Sequence, residues 1–191
     1  YRVKSEITEP VETHGLIKVF KLPQQVSDQL MIGLDTGGGM GKDSTAIAVI
    51  DKRDKSLVAS WKNNTATVDQ ASEVVVTLVK MFTKKHKTYY EHYEKAPPDT
   101  IPTILVEMNG IGLPAWQDIV KKGLTAIQIK TTEGSRYACL LETKKAVENG
   151  TLLGPEELAL ETEQLVVEDG KFKGPKDLSM AIGFCLNHMQ G

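Results

Sequence analysis

No stretch of this chain approaches the roughly 20 consecutive apolar residues that a bilayer-spanning helix needs. Cysteine is scarce: Cys139 and Cys185 show no CxxC and no paired spacing, which excludes a disulfide framework and predicts two small core residues of a reducing compartment. A dominant sign of charge is lacking too. With 23 Lys and Arg against 25 Asp and Glu, the net charge of -2 gives no global attraction for nucleic acid, so any DNA-binding surface must be a local patch. His14, His86, His92 and His188 show no metal-ligand spacing and read as surface or partly buried side chains. Internal repeats and low-complexity tracts are absent. Tyr1-Arg2-Val3-Lys4 is not a signal peptide and carries no initiator methionine, which leads us to expect a segment of something longer. What remains is an ordinary globular composition over 191 residues, the size of one domain with a substantial core.

Residues 1–29 are polar with scattered apolar positions and read as a lead-in or linker segment, leaving 30–191 as the domain. Leu30-Met31-Ile32-Gly33-Leu34 is a short apolar strand, followed by a glycine-rich turn from Gly37 to Gly41. Thr45 to Ile50 and Leu57 to Trp61 are two more strands, and the polar turn Asp51 to Lys55 between them predicts an antiparallel meander. Thr67 is placed to cap a helix from about Val68 to His86, with Val75, Leu78, Val79 and Phe82 on one stripe. Lys84-Lys85-His86-Lys87 reads as its basic C-terminus. Beyond a Pro-rich loop, the wholly apolar Ile104-Leu105-Val106 predicts a strand covered on both faces. Helix 113–122 and strand 126–129 complete a βαβ-like unit. A helix over about 135–149 ends at Asn149-Gly150, a short helix covers 155–164, a hairpin covers 165–173, and a last helix covers about 176–189. Together these predict an α/β fold of ribonuclease H-like order, a mixed central sheet of three antiparallel strands then parallel strands, flanked by helices.

Three acidic residues stand where an ordinary core would not put them. Asp35 ends the first strand, Glu107 ends the buried strand, and Asp177 opens the last helix in register with Ala181 and Cys185. If the first and fourth strands are neighbours, all three converge at one sheet end. Two carboxylates about 5 Å apart repel by roughly 3 kcal/mol at an effective dielectric near 20, so protons or cations must offset the cluster. Hard oxygen ligands favour Mg2+ or Mn2+, and two such ions suit phosphodiester hydrolysis. Each acid also has a bland reading: Asp177 as a helix N-cap, Glu107 as a solvent-facing strand end, Asp35 as a turn former. Asp43 is a further candidate ligand, equally readable as a turn residue. Only the three acids together, each at an element boundary, favour the metal reading.

Two local motifs mislead. Gly37 to Ser44 looks like a phosphate-binding P-loop, but Thr36 stands where the first glycine belongs and Asp43 follows Lys42 where Ser or Thr should coordinate magnesium. Leu34-Asp35-Thr36-Gly37 mimics an aspartic-protease loop, which would need a second copy.

Taken with Ile32-Gly33-Leu34-Asp35, Asp43-Ser44-Thr45-Ala46, the run Ile104 to Gly112, the run Lys144 to Gly150, and Lys176-Asp177-Leu178-Ser179-Met180-Ala181, residues 28–190 resemble the C-terminal nuclease domain of phage terminase large subunits. The resemblance implies a ribonuclease H-like fold, endonucleolytic cutting of concatemeric double-stranded DNA, and a two-metal site at Asp35, Glu107 and Asp177. It also implies an ATPase domain, a portal protein and a small terminase subunit as partners, in the cytoplasm of an infected bacterial host. One departure is Lys176, where the family commonly has a second acid before the last carboxylate. Lys130, Arg136, Lys144, Lys145, Lys171 and Lys173 are candidate DNA contacts, each equally readable as part of a solvated face. Two rival functions fit the same strand order. One is an ATP-binding domain of the actin and sugar-kinase type, and the other is a non-catalytic domain that docks DNA or portal.

Overall fold

The computed structural model describes residues 7–37, 44–85 and 99–189. Its first elements fall inside the segment expected to be a lead-in. β1 (Glu12–His14) and β2 (Ile17–Val19) form a hairpin around Gly15, which takes a left-handed φ of 60°. β2 then pairs antiparallel with β5 (Ser56–Asn63), burying Ile17 and Val19 in the core. Residues 12–19 are thus the edge of the sheet. Two three-residue strands carry too little periodicity to be recognised from sequence. Between β2 and the next strand, Ser27 is tied to fully buried Asp51, which accepts from the Ser27 N–H at 2.8 Å and the Ser27 hydroxyl at 2.5 Å.

β3 (Leu30–Asp35), β4 (Thr45–Asp51) and β5 form the expected antiparallel meander. β6 (Thr103–Glu107) lies parallel to β3, and β7 (Ala126–Ile129) parallel to β6. The mixed sheet therefore runs β1-β2-β5-β4-β3-β6-β7. α1 (Val68–Phe82) and α2 (Gly112–Lys121) cover one face, burying Val75, Leu78, Phe82, Ala115 and Ile119 against Ile32, Leu34, Ile47 and Val49. The opposite face is covered by α5 (Asp177–His188), packed in turn on α3 (Glu133–Glu148) and α4 (Glu156–Gln164).

α1 stops at Phe82, not His86. Thr83 turns extended, and both its N–H and its hydroxyl bond to the Val79 carbonyl at 2.9 and 2.6 Å. Lys84 then pairs with Thr100 in a β-bridge, so it is no helical terminus. His86, Lys87 and His92 lie outside the described residues. The hairpin of β8 (Val166–Glu168) and β9 (Lys171–Lys173) is held to α3 by Phe172, which stacks on Tyr137 with ring centroids 4.8 Å apart. The two cysteines are buried and free, as expected.

Candidate active site

Sheet register brings two of the three carboxylates side by side. Leu34 pairs with Val106 across the parallel β3–β6 ladder, so the next residues, Asp35 and Glu107, end neighbouring strands on one row. Strand spacing there is about 4.8 Å. Alternation then fixes the face. Ile32 and Leu34 point to α1, while Met31 and Leu105 join the α5 side, and Asp35 and Glu107 share the parity of that second set. Gly33 makes this possible. A Cβ there would sit 2.3 Å from the Ala181 carbonyl oxygen, so only glycine lets α5 lie this close to β3. Asp177 heads that helix. Asp35, Glu107 and Asp177 consequently line one cavity, about 360 Å³ in volume, together with Asn109, Arg136 and Lys176.

Asp35 and Glu107 are almost wholly buried, at 3% and 1% exposure. Burial pushes the Asp35 carboxyl up to about 7, an effect increased by the Asp177 and Glu107 charges. The Gly37 N–H, which donates to Asp35 Oδ1 at 3.0 Å, and the Arg136 guanidinium oppose the rise. The Gly37 bond shows that Asp35 is a turn former as well as a cavity group. Glu107 is oriented from β7's end: Thr131 Oγ1 donates to Glu107 Oε1 at 2.8 Å, and Asn109 Nδ2 donates to Thr131 Oγ1 at 3.0 Å. A solvent-facing Glu107 is thereby ruled out. Gly112 belongs to the same construction, since a Cβ there would lie 1.8 Å from the Glu107 carbonyl oxygen.

Asp177 is the first residue of α5 and not its cap, which is Lys176, whose side chain makes no capping bond to the helix. Capping comes instead from α4. Glu161 accepts from the Ser179 N–H and hydroxyl, both at 2.9 Å, and from the Leu178 N–H at 3.3 Å. The bland reading of Asp177 fails because the orphan amides already have this partner. Glu161, Thr131 and Asn109 carry no signature that spacing could have found. Each acts through a contact between elements distant in sequence.

The candidate DNA contacts divide. Arg136 reaches the carboxylate cavity, and with Lys171, Lys173 and Lys176 it also lines an adjoining one beside Tyr137 and Phe172. Lys144 donates to the Thr162 carbonyl at 2.9 Å and pairs with Glu148 at 2.8 Å. Lys145 lines a separate cavity with Lys55 and Glu142, and Lys130 lines another with Thr131 and His188. Asp43 lies outside the described residues.

Among the described residues no three His, Cys, Asp or Glu side chains come close enough to cage a metal ion. The donor set is nonetheless all carboxylate and opens on a cavity. That chemistry fits Mg2+ or Mn2+, because magnesium keeps several waters and takes one or two carboxylates plus substrate phosphate. It does not fit a closed structural site, which needs a full protein ligand set.

No family model and no curated protein matches the chain. Solved structures do. The large terminase nuclease from thermophilic phage G20c, in forms with bound magnesium and with bound cobalt, superposes with a TM-score of 0.68 at 15% identity over 95% of this chain and 92% of that one. The large terminase nuclease domain of Thermus phage P74-26 gives 0.63 at 17% identity, over 97% and 92% of the two chains. At such identity the likeness establishes the fold: this chain has the architecture of the large terminase nuclease domains, matched over nearly its whole length.

Proposed function

We propose that this chain is a divalent-metal-dependent endodeoxyribonuclease, the nuclease domain of a viral genome-packaging terminase, which cuts concatemeric double-stranded DNA. The observation that carries it is the meeting of Asp35, Glu107 and Asp177, from three separate elements, at one cavity of this fold. Nothing in a packing argument needs two buried carboxylates on adjacent strands. The neighbours' magnesium and cobalt extend the same reading to this chain's donors.

Asp35 and Glu107 hold the floor of the site, and Asp177 closes it from α5. Two Mg2+ or Mn2+ ions bound there would draw charge from the scissile phosphate and lower the pKa of an attacking water. Thr131 and Asn109 keep the Glu107 oxygen aimed. Arg136, at the rim, supplies a fixed cation toward a phosphate oxygen. Asp43 is a further ligand under this proposal. The duplex would lie over the cavity mouth, contacting Arg136, Lys171, Lys173 and Lys176, while Lys130, Lys144 and Lys145 face other cavities or partners and stay off it. Partners would be the packaging ATPase domain, the portal and the small subunit, in the host cytoplasm.

Plasmid incubation with Mg2+ or Mn2+ tests the proposal directly. Nicking and linearisation with little sequence preference are expected, lost in EDTA and lowered by orders of magnitude in Asp35→Asn, Glu107→Gln and Asp177→Asn. Cleavage that survives EDTA or all three substitutions would sink it. Nucleotide binding without cleavage would instead favour the ATP-binding alternative.

A further inference from the structure

Lys62 and Glu161 are not among the residues that line the carboxylate cavity, yet Lys62 pairs with Asp177 and Glu161 caps the helical turn that Asp177 opens. Lys62 lies on β5 opposite Ala46, which lies opposite Asp35 on β3, so Lys62 and Asp35 share one row and one face of the sheet. From there Lys62 Nζ reaches Glu161 Oε2 at 3.0 Å and Asp177 Oδ2 at 4.0 Å. Glu161 is 3% exposed. Both of its oxygens are engaged, by the Ser179 and Leu178 groups of α5's first turn and by Lys62. A buried carboxylate without a counter-charge is costly, so Glu161 requires a cation. That cation also lies within ion-pair distance of Asp177, at 4.0 Å, and neutralising a helix cap does not require that second pairing.

We propose that Lys62 and Glu161 form a positioning pair for Asp177: Glu161 pins the first turn of α5, and Lys62, bridging the two carboxylates, turns the Asp177 carboxylate toward a divalent cation in the cavity. This rests on Asp177 being a metal ligand.

The sign of one measurement separates the pair from simple electrostatics. A lysine acting only through its charge would repel the metal, so its removal would tighten binding. A positioning lysine does the opposite. Mn2+ dissociation constants, taken by calorimetry on the whole chain with melting temperatures in EDTA beside them, are to be compared for wild type, Lys62→Met, Lys62→Arg and Lys144→Met. Lys144 is the control, a comparably bonded lysine on α3 whose partners are Thr162 and Glu148. Expected are about tenfold weaker Mn2+ binding in Lys62→Met, the scale of outer-sphere partners of metal ligands, recovery in Lys62→Arg, and no change in Lys144→Met. Unchanged or tighter binding in Lys62→Met overturns the pairing. So does a loss that Lys144→Met shares or that Lys62→Arg fails to restore. Wild type that binds no Mn2+ overturns the metal-site reading and the pairing with it, and is distinguished by failing before any variant is compared.

Discussion

Asp35 holds its proton far more tightly in the fold than in the open chain, raised from 3.8 to about 7 chiefly by burial. The folded state therefore binds the extra proton between those values. Asp35's penalty is absent below the ordinary carboxylate range, grows as pH rises, and levels off above about 7. Its upper bound is about 4 kcal/mol, from 1.36 kcal/mol per pH unit. Asp35→Asn keeps an oxygen able to accept the Gly37 N–H and removes the charge. In EDTA the variant should melt level with wild type near pH 4 and a few degrees higher at pH 8. Mn2+ at pH 8 should then raise wild type by mass action and the variant much less. If Asp35→Asn melts lower than wild type at pH 8 in EDTA, Asp35 is chiefly a turn acceptor and the strained-site account is wrong. That the three acids belong together was readable from their positions at element boundaries. Their supports, Thr131, Glu161 and Lys62, were not, because each contact joins residues between 17 and 115 positions apart that no local pattern links.

Elements were legible wherever their periodicity ran long. The meander, α1's cap at Thr67, the β6–α2–β7 unit and α5 all formed close to where their apolar patterns placed them. The β1–β2 hairpin was not legible, since its place depends on the free edge of β5 and not on its own composition. Close approaches were hidden for a similar reason. A glycine inside a strand signals a close approach without saying by what. Here it is α5 over Gly33, two residues before Asp35 on the same face. Gly33→Ala should force helix and strand apart and cost about 2 kcal/mol, read as a drop of several degrees in melting temperature. Gly134→Ala is the contrast. Its Cβ would meet only Thr132 Oγ1 at 3.9 Å, in the first turn of α3, where alanine is the better helix former. A neutral or slightly raised melting temperature is expected there. Equal losses in the two variants would mean that the β3–α5 contact is not what makes Gly33 necessary.

At the scale of the whole molecule the charges nearly cancel, so binding to a polyanion must come from where the cations sit. The structure sorts them. Arg136, Lys171, Lys173 and Lys176 share the walls of two adjoining cavities at the carboxylate site, with the β8–β9 hairpin held there by the Tyr137–Phe172 stack. Lys144 is committed to Glu148 and Thr162, and Lys145 faces another cavity. The Lys171–Glu133 pair at 2.7 Å joins two largely exposed side chains, so it gives up its lysine to a phosphate at little cost. Four such cations neutralising phosphates would give log K against log salt a slope of roughly -3 to -4. Duplex binding, measured by anisotropy between about 50 and 200 mM salt with EDTA present, should therefore be weak and fade steeply. Lys173→Ala should weaken it for every sequence alike and make the slope shallower by about 1. Lys144→Ala and Lys145→Ala should leave the slope where it was. Should those two flatten the slope while Lys173→Ala does not, the duplex lies over α3's other side, and the cavity walls are not the DNA-binding surface.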